Sequence, residues 1–417
     1  MAQLSSDAFA FGRSLMRVEE ALSLVTARIP PIAETESVPL VDADGRVLAR
    51  SVVAPIDVPI FDNSAVDGYA VAHADLNPGT ATRLPVVGRV SAGHAAGQQG
   101  AHGAAVRIFT GAPMPSGTDT VFMQEDVRLL DNGAVELPAG LRRGANRRAA
   151  GEDITRGDEA LAVGRRLEPR DIALAAALGI SGLHVRRRPR VAVFSTGDEI
   201  CEPGTSLAPA AIYDSNRYAL IALLRRCGCG VTDLGVLRDN RDAMEVRLSA
   251  AAAAHDLIVT SGGVSAGEED HVRAAITARG SMVFWRLAIK PGRPVAMGVV
   301  NGTPLVGLPG NPVAVFVTFA YVVRPLIWAM TAATPIPLMP STVVSGFNYR
   351  KKAGRREYLR VSLAQHGTQV IATKYPVDGA GVITSLTRTD GLVELNEDRL
   401  DVAQGDPVPF IDYRQLA

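Results

Sequence analysis

Cysteine is scarce in this chain, and its scarcity excludes a disulfide-stabilised scaffold. Three cysteines occur among 417 residues, too few and too odd a number to close a framework of paired bridges. Cys227 and Cys229 are separated by a single glycine, which is not the spacing of zinc or thioredoxin motifs. We therefore expect Cys201, Cys227 and Cys229 to be reduced thiols in a cytoplasmic protein.

An excess of charge of one sign is also missing. The chain has 43 Lys and Arg against 43 Asp and Glu, so its bulk charge indicates neither a nucleic-acid partner nor a membrane-surface partner. The N-terminus lacks the basic and apolar segments of a signal peptide. The longest apolar run, residues 312–330, is interrupted by Arg324 and Pro325, and before them it is shorter than the about 18 residues of a spanning helix. We expect a buried helix there and no membrane contact.

The length and the residue pattern predict several domains, because 417 residues exceed one ordinary core. Short strands separated by glycine and proline turns fill residues 55–141. From residue 190 strands alternate with helices, which indicates a doubly wound sheet. Short strands return after residue 335 and indicate a C-terminal β-barrel or sandwich. Helices are predicted over 14–29, 168–178, 241–255 and 270–279, and from Pro312 onward, with Asn311 as the cap.

Residues 257–312 carry the strongest chemical signal. They include LIVTSGGVSAGEEDHV, FWRLAIKPGRP and LVGLPGNPVAVF, in which strand-length apolar runs end in glycine loops. Ligands of open α/β sheets bind beyond the carboxyl ends of the strands. Glycines let the backbone approach an anion, carboxylates hold a hard cation, and Lys and Arg hold oxyanions. The segment predicts a site for a phosphorylated ligand with a divalent metal. Its candidate residues are Ser261, Gly262, Gly263, Glu268, Glu269, Asp270, Lys290 and Arg293.

Other acidic clusters lie outside this segment. Asp67, Thr110 and Asp153 occur in turn-rich stretches, where turn or loop chemistry is the alternative explanation for each. Glu199, beside Asp198, follows the first α/β strand and Asp239 follows the next, where such sheets present ligand groups. No serine or cysteine has a nearby His–Asp arrangement, and neither a Walker loop with its lysine nor GxGxxG occurs. The predicted phosphate site therefore belongs to neither common class.

Eight motifs in order resemble the molybdopterin molybdenumtransferase family, which includes bacterial molybdenum-cofactor enzymes and the C-terminal domain of gephyrin. They are FDNSAVDGYAV, TGAPMPSGTD, GEDI, VFSTGDEI, YDSNR, TSGGVSAGEEDHV, FWRLAIKPGRP and GLPGNPV, spread over essentially the whole chain. The resemblance implies an α/β multidomain fold. An elongated first domain (1–54 and 146–188) contains an inserted β domain (55–145). A doubly wound domain with a parallel or mixed sheet, similar to molybdopterin adenylyltransferases, follows (189–334), and a β-barrel ends the chain (335–417).

The resemblance also implies the reaction and the residues that carry it. Molybdate is inserted into adenylated molybdopterin with Mg²⁺-dependent release of AMP, a transferase step of molybdenum cofactor biosynthesis. The catalytic residues carried over are Asp67, Thr110, Asp153, Glu199, Asp239, Asp270, Lys290 and Arg360. The cofactor-binding residues are Ser261, Gly262, Gly263, Lys290, Arg293, Gly310 and Asn311. Glu199, Asp239 and Asp270 would hold the metal.

Partners are implied as well. The resemblance implies a cytoplasmic homodimer whose active sites are shared between protomers. A molybdopterin adenylyltransferase and molybdoenzyme acceptors are possible partners, with no nucleic acid and no membrane.

The chain departs from the family at three positions, and two other functions stay open. Arg286 stands where the family often has Lys, Ala314 where it has Ser, and Ala380 where the barrel motif has Ser. One alternative is a molybdopterin adenylyltransferase, which shares the doubly wound domain. The other is a non-catalytic molybdopterin-binding scaffold. The retained acids favour catalysis, because a carrier would not need so many unpaired carboxylates.

Overall fold

The computed structural model describes residues 15–26, 29–95, 102–238, 241–262 and 280–416. Several predicted features lie outside these ranges: the helix over 270–279 and the candidates Asp239, Gly263, Glu268, Glu269 and Asp270. The helices within them are α1 (Val18–Thr26), α2 (Pro169–Ala177), α3 (Asn216–Arg226), α4 (Arg241–Ala254), α5 (Pro312–Thr318), α6 (Arg324–Thr331) and α7 (Thr384–Thr387). Short 3₁₀ turns are Leu40–Asp42, His73–Asp75, Gln124–Asp126 and Tyr413–Gln415.

Helix α1 is shorter than the predicted helix over 14–29. It begins only at Val18, because Met16 is in extended backbone and forms a β-bridge with Leu287. It ends at Thr26, before the proline pair that was expected to stop it. Helix α2 agrees with its prediction, and the side chains of Glu168 and Asp171 form a capping box at its start.

The first part of the chain is built from nested strand pairs. It begins with β1 (Thr35–Pro39), β2 (Val52–Val53) and β3 (Asn63–Ser64). A six-stranded sheet follows from β4 (Gly68–Val71), β5 (Thr82–Val90), β6 (Ala105–Ile108), β7 (Thr120–Met123), β8 (Arg128–Leu129) and β9 (Ala134–Leu137). The chain returns through β10 (Arg147–Arg148), β11 (Glu159–Leu161) and β12 (Gly182–Arg186). These three strands pair antiparallel with β3, β2 and β1, so the six-stranded sheet is an insertion.

The middle of the chain forms one mixed sheet, called here the α/β sheet. Its strands and neighbours are β13 (Arg190–Thr196), β14 (Ile200–Cys201), β15 (Ile212–Tyr213), β16 (Gly230–Leu237), β17 (Leu257–Ser261), β18 (Gly280–Arg286), β19 (Ile289–Lys290), β20 (Pro294–Val300) and β21 (Thr303–Leu308). The sheet order is β16-β13-β17-β21-β20-β18. The first four strands are parallel, β20 runs antiparallel to β21, and β18 runs antiparallel to β20, so the predicted doubly wound sheet is confirmed in its mixed form.

The apolar run after Asn311 forms the central core helix, as predicted. Helices α5 and α6 are joined by a π-helical segment, Phe319–Val323, and the continuous helix packs against the α/β sheet and the barrel. Its length and composition would suffice to cross a membrane, but most of it is buried inside the fold. Asn311 is the N-cap residue and Pro312 the first helical residue, as predicted, but the Asn311 side chain makes no capping hydrogen bond. The Val313 amide instead donates to the Ala380 carbonyl at 3.0 Å.

Five of the seven C-terminal strands close into a barrel. The seven strands are β22 (Ser341–Ser345), β23 (Tyr349–Arg350), β24 (Arg356–His366), β25 (Gln369–Lys374), β26 (Gly391–Leu395), β27 (Asp401–Val402) and β28 (Pro407–Asp412). Strands β23 and β27 pair with each other in a separate two-stranded sheet. The order β24-β25-β22-β28-β26 closes because β26 also pairs with β24. Strand β19 runs parallel to β24 and places Lys290 opposite Glu357. This short pairing joins the α/β region to the barrel and creates the pocket described next.

Candidate functional site

A pocket of ≈ 220 Å³ lies where β19 meets the barrel. Its charged lining side chains are Lys290, Glu357, Arg360 and Asp378. The rest of its wall is formed by Pro291, Gly292, Pro294, Pro309, Asn311, Ala314, Tyr349, Tyr358, Leu359, Gly379 and Ala380. Two predicted catalytic residues, Lys290 and Arg360, and one predicted cofactor-binding residue, Asn311, therefore meet in one cavity. Charged groups on largely apolar walls are typical of a small-ligand site.

Lys290 is held by the loop that follows it and by two polar partners. Gly292 has a φ of +109°, and a Cβ added there would lie 2.6 Å from Cγ2 of Thr318, so only glycine allows this approach to α5. The Lys290 Nζ donates to Oε2 of Glu357 and to the Tyr349 hydroxyl, both at 3.2 Å. Its side chain is 51% exposed. The ammonium is thus fixed in direction and still open to a ligand.

Arg360 is the pocket cation that forms no ion pair with a carboxylate of the described residues. It is 7% exposed. Its Nε donates to Oγ of Ser385 at 3.1 Å, and its Nη2 donates to the carbonyls of Val377 and Gly379 at 3.3 and 3.0 Å. All of these acceptors are neutral, and no carboxylate of the described chain pairs with it. Burial lowers the pKa of Arg360, and the charge of the Asp378 carboxylate offsets this effect only in part.

Glu357 is a pocket residue that the sequence reasoning missed. It is 1% exposed, and its carboxylate accepts hydrogen bonds from Lys290, from the Tyr349 hydroxyl at 2.6 Å and from the Arg355 guanidinium at 2.8 Å. Burial alone would raise the pKa of Glu357, but the Tyr349 hydrogen bond and the Lys290 charge hold it below its usual value. It lies three residues before Arg360 in EYLR, a weak signal without the barrel register.

The charges around the pocket favour a dianion. Asp378 accepts from Lys374 Nζ at 2.7 Å, and this hydrogen bond lowers the pKa of the Asp378 carboxyl. The lining charges and their direct ion-pair partners are the cations Lys290, Arg355, Arg360 and Lys374 and the carboxylates Glu357 and Asp378. Four cations against two carboxylates leave two uncompensated positive charges. An oxyanion with two negative charges would neutralise them.

A second group of predicted residues lies at the carboxyl end of β17. The Asn216 side chain donates to Oγ of Ser261 at 2.9 Å and to the Gly310 carbonyl at 2.7 Å. Ser261 also donates to the Pro309 carbonyl at 3.3 Å. Asn216, which the sequence reasoning did not select, therefore ties Ser261 to the loop that carries Gly310 and Asn311. Gly262 follows with a φ of +89°.

Arg293 is placed apart from the pocket. Its side chain is exposed and does not line the cavity. Its carbonyl accepts from the Leu287 amide at 2.8 Å, which closes the turn before β20. Of the two cations in the IKPGRP motif, only Lys290 faces the pocket.

Asp67 and Thr110 come together on the inserted sheet. One carboxylate oxygen of Asp67 accepts from both the amide and the hydroxyl of Thr110 at 2.8 Å. These two bonds lower the pKa of Asp67. Thr110 thus holds the Asp67 carboxylate in place, and the Thr110 hydroxyl is not free to donate to another group. Asp153 is exposed on a neighbouring loop, where its amide donates to the Val58 carbonyl at 3.0 Å.

Of the three predicted metal ligands, only Glu199 falls in the described ranges. It is exposed, and it folds back over the strand end, because a Cβ added at Gly197 would lie 2.7 Å from its Oε2. Asp239 and Asp270 lie outside those ranges. Among the described residues no group of three His, Cys, Asp or Glu could hold a metal ion. The donors present in this part of the chain therefore do not make a complete Mg²⁺ site by themselves.

A buried arginine organises the loop that carries Glu199. Arg217, on α3, is 2% exposed and pairs with Asp214 at 2.8 Å and with Glu202 at 2.5 Å. It also contacts the carboxylate of Asp233. These partners come from three separate segments, so the single guanidinium connects α3, the parallel strand pair β14–β15 and the edge strand β16. The sequence reasoning missed Arg217, although it ends the YDSNR motif.

Family models match most of the chain in three consecutive segments. The MoeA N-terminal region (domain I and II) matches residues 16–179. A probable molybdopterin binding domain matches residues 192–329, and the MoeA C-terminal region (domain IV) matches residues 342–413. The pocket lies between the second and third of these segments.

Relatives are similar to this chain over their whole length. The chain is 36% identical over 405 residues to molybdopterin molybdenumtransferase of Haemophilus influenzae, covering 96% of this chain and 100% of the relative. It is 36% identical over 409 residues to molybdopterin molybdenumtransferase 2 of Mycobacterium tuberculosis, covering 95% and 100%. A solved structure of the molybdopterin biosynthesis moeA protein from Pyrococcus horikoshii OT3 aligns with a TM-score of 0.83 and 29% identity, over 96% of this chain and 100% of that chain.

Proposed function

The chain belongs to the molybdopterin molybdenumtransferase family, and from that membership we propose that it inserts molybdate into adenylated molybdopterin with release of AMP. It is accordingly a transferase of molybdenum cofactor biosynthesis. We further propose that it acts in the cytoplasm, which its three free thiols support.

The observation that carries the proposal is the uncompensated charge of Arg360. A buried guanidinium with only neutral partners is costly unless a ligand supplies the anion. Molybdate is a tetrahedral dianion, and the two excess charges of the pocket match it. We assign Arg360 and Lys290 as the groups that bind it, with Arg360 as the anchor and Lys290 at the mouth. Charge neutralisation of this kind also favours departure of an anionic leaving group.

The pterin-bearing substrate is proposed to lie between the pocket and the end of β17. Ser261, Gly262, Gly310 and Asn311 border that crevice, where parallel sheets bind ligands. The Asn216 bridge from Ser261 to Gly310 keeps the two loops at a fixed separation. Asn311 lines the pocket and makes no capping bond, so its amide is available to the substrate.

The proposed reaction also requires a bound Mg²⁺ ion. Glu199 offers an exposed carboxylate at the strand end, and hard cations prefer such oxygen ligands. One carboxylate is not a site, so we propose Asp239 and Asp270 as the other ligands. When bound, the ion would supply Lewis-acid and template chemistry to the phosphate groups. The decisive measurement is Mg²⁺ binding by calorimetry in the parent protein and in Glu199→Gln, which should bind it at least about tenfold more weakly.

A homodimer with shared active sites is proposed for Asp67, Thr110 and Asp153. These three residues do not line the Lys290–Arg360 pocket of their own chain, so a second copy of the chain would supply them. Asp67→Ala and Asp270→Ala should each abolish turnover and leave the dimer intact. Mixing the two inactive variants should restore part of the activity. If verified heterodimers stay inactive, the shared-site arrangement is wrong.

AMP release tests the proposed reaction against its alternatives. Purified protein would receive adenylated molybdopterin, molybdate and Mg²⁺, and AMP would be followed over time. Release that depends on molybdate supports insertion. Substrate binding without any AMP release would instead indicate a scaffold. Formation of adenylated molybdopterin from ATP and molybdopterin would indicate an adenylyltransferase. That alternative rests on the doubly wound domain alone and gives no role to the pocket between β19 and the barrel.

A further inference from the structure

Glu357 occupies an unusual position for a carboxylate in an anion pocket. It is buried at 1% exposure, and it faces the cation that the proposed molybdate must also contact. A negative charge there opposes binding of an anion, so simple attraction does not explain its presence. Its placement follows from the β19–β24 register, which sets Glu357 directly across from Lys290.

The contacts of Glu357 divide into two kinds. The Arg355 guanidinium and the Tyr349 hydroxyl hold the carboxylate in place at 2.8 and 2.6 Å. The carboxylate and the same tyrosine oxygen then both accept from Lys290 Nζ at 3.2 Å. In the described structure Lys290 makes no other hydrogen bond, so Glu357 and Tyr349 alone set the direction of its ammonium.

A lysine needs such direction more than an arginine does. Its ammonium is a point charge on a long flexible stem, and ordering that stem costs conformational entropy. Arg360 is different, because Ser385 and two carbonyls already fix its planar fork. Orientation before the substrate arrives lowers the barrier of a transfer step, whereas added positive charge alone increases affinity.

We propose that Glu357 is a positioning residue for molybdenum transfer, which orients the Lys290 ammonium and limits the positive charge of the pocket. The inference rests on the proposed function, since it assumes that the pocket holds molybdate. The negative charge of Glu357 lowers the affinity of the pocket for molybdate, and in return the Lys290 ammonium has a defined position. If Glu357 served only to hold β19 against the barrel, its replacement would affect folding alone.

Glu357→Gln separates these roles, because glutamine keeps the size and one acceptor oxygen but removes the charge. The molybdate Kd should fall, about threefold or more, since the pocket gains one positive charge. The kcat of AMP release should also fall, by about tenfold, since Lys290 loses its orienting charge. Unchanged kcat and Kd in folded protein would overturn the proposal, as would weaker molybdate binding with unchanged kcat.

Two further variants guard against misinterpretation. In Lys290→Gln, adding Glu357→Gln should lower kcat by less than about twofold, because the second change acts through a group already removed. Additive losses would contradict the proposal. Glu394→Gln is the matched control: it removes a barrel carboxylate bonded to the Tyr321 hydroxyl at 2.6 Å, outside the pocket lining. It should lower stability and leave kcat and Kd unchanged.

The two readouts also separate this inference from the proposed function. If the parent protein released no AMP, the proposed function would fail. Calorimetric titration with molybdate alone would still show whether Glu357→Gln tightens anion binding. If Glu357→Gln does not fold, Tyr349→Phe takes its place in the test. This variant removes the hydrogen bonds that the Tyr349 hydroxyl makes with Lys290 and with Glu357, and it keeps the charge of Glu357. That variant should lower kcat about threefold and leave Kd unchanged, and an unchanged kcat would refute the positioning role.

Discussion

Replacing Arg360 by methionine removes the cation on which the proposed molybdate site depends. Methionine approximates the length of the side chain and carries no charge. Arg360 donates hydrogen bonds to Ser385, Val377 and Gly379, and all three use Nε or Nη2. Nη1 has no hydrogen-bond partner within the described ranges. A bound oxyanion can therefore accept from Nη1 without breaking any existing bond.

The size of the effect follows from that one nitrogen. A hydrogen bond to a charged group contributes about 1.5–3 kcal/mol, so its loss should weaken molybdate binding by about 10- to 150-fold. Folding should suffer as well, because three acceptors lose their donor, at a cost of about 2–4 kcal/mol. Arg360→Lys keeps the charge but cannot reproduce the fork, and its loss of affinity should be smaller, about tenfold.

Calorimetric titration with molybdate measures the Kd directly. Arg350→Met is the matched control, since Arg350 lies in the same C-terminal region, on β23, but is 89% exposed and pairs loosely with Asp401 at 3.6 Å. It should bind molybdate like the parent. If folded Arg360→Met bound molybdate with an unchanged Kd, Arg360 would not be the anchor, and the charge argument for this pocket would be refuted.

Three other changes test neighbouring features. Thr110→Val removes one of two hydrogen bonds to Asp67, so the Asp67 carboxyl should titrate at higher pH by NMR, and an unmoved titration would contradict the assignment. As the pH falls, the Asp67 carboxylate of the variant would therefore become protonated at a higher pH than that of the parent. Ser385→Ala frees the Arg360 Nε and should weaken molybdate binding about fivefold, with an equal Kd arguing against preorganisation. Arg217→Met leaves three carboxylates without their cation and should lower the free energy of unfolding by about 3–5 kcal/mol in denaturant titration. A loss below about 1 kcal/mol would contradict the role assigned to Arg217.

Sequence motifs indicated which residues the loops at the strand ends carry, and two of these residues line the pocket. Lys290 and Asn311 are examples, because KPG and GNP turns place them at the mouth of the pocket. The alternation of strands and helices likewise predicted the α/β sheet, and the return of short strands predicted the barrel. In both cases local periodicity follows directly from burial on one or two faces.

Glu357, Tyr349 and Ser385 could not be predicted in the same way. Their roles depend on the register of β19 against β24 and on closure of the barrel, which are contacts between segments far apart in sequence. No local pattern encodes such a register. The Asn-Pro pattern located the N-cap of α5 correctly, but it could not show that the Val313 amide donates to the distant Ala380 carbonyl and not to the Asn311 side chain.

A single-turnover experiment tests the central claim most directly. Enzyme in excess over adenylated molybdopterin, with molybdate and Mg²⁺, would be quenched at intervals, and AMP and pterin-bound molybdenum would be counted in each sample. The account predicts that the two appear together in equal amounts and that neither appears in Arg360→Met. AMP released at the same rate without molybdate, or with no molybdenum on the pterin, would contradict it.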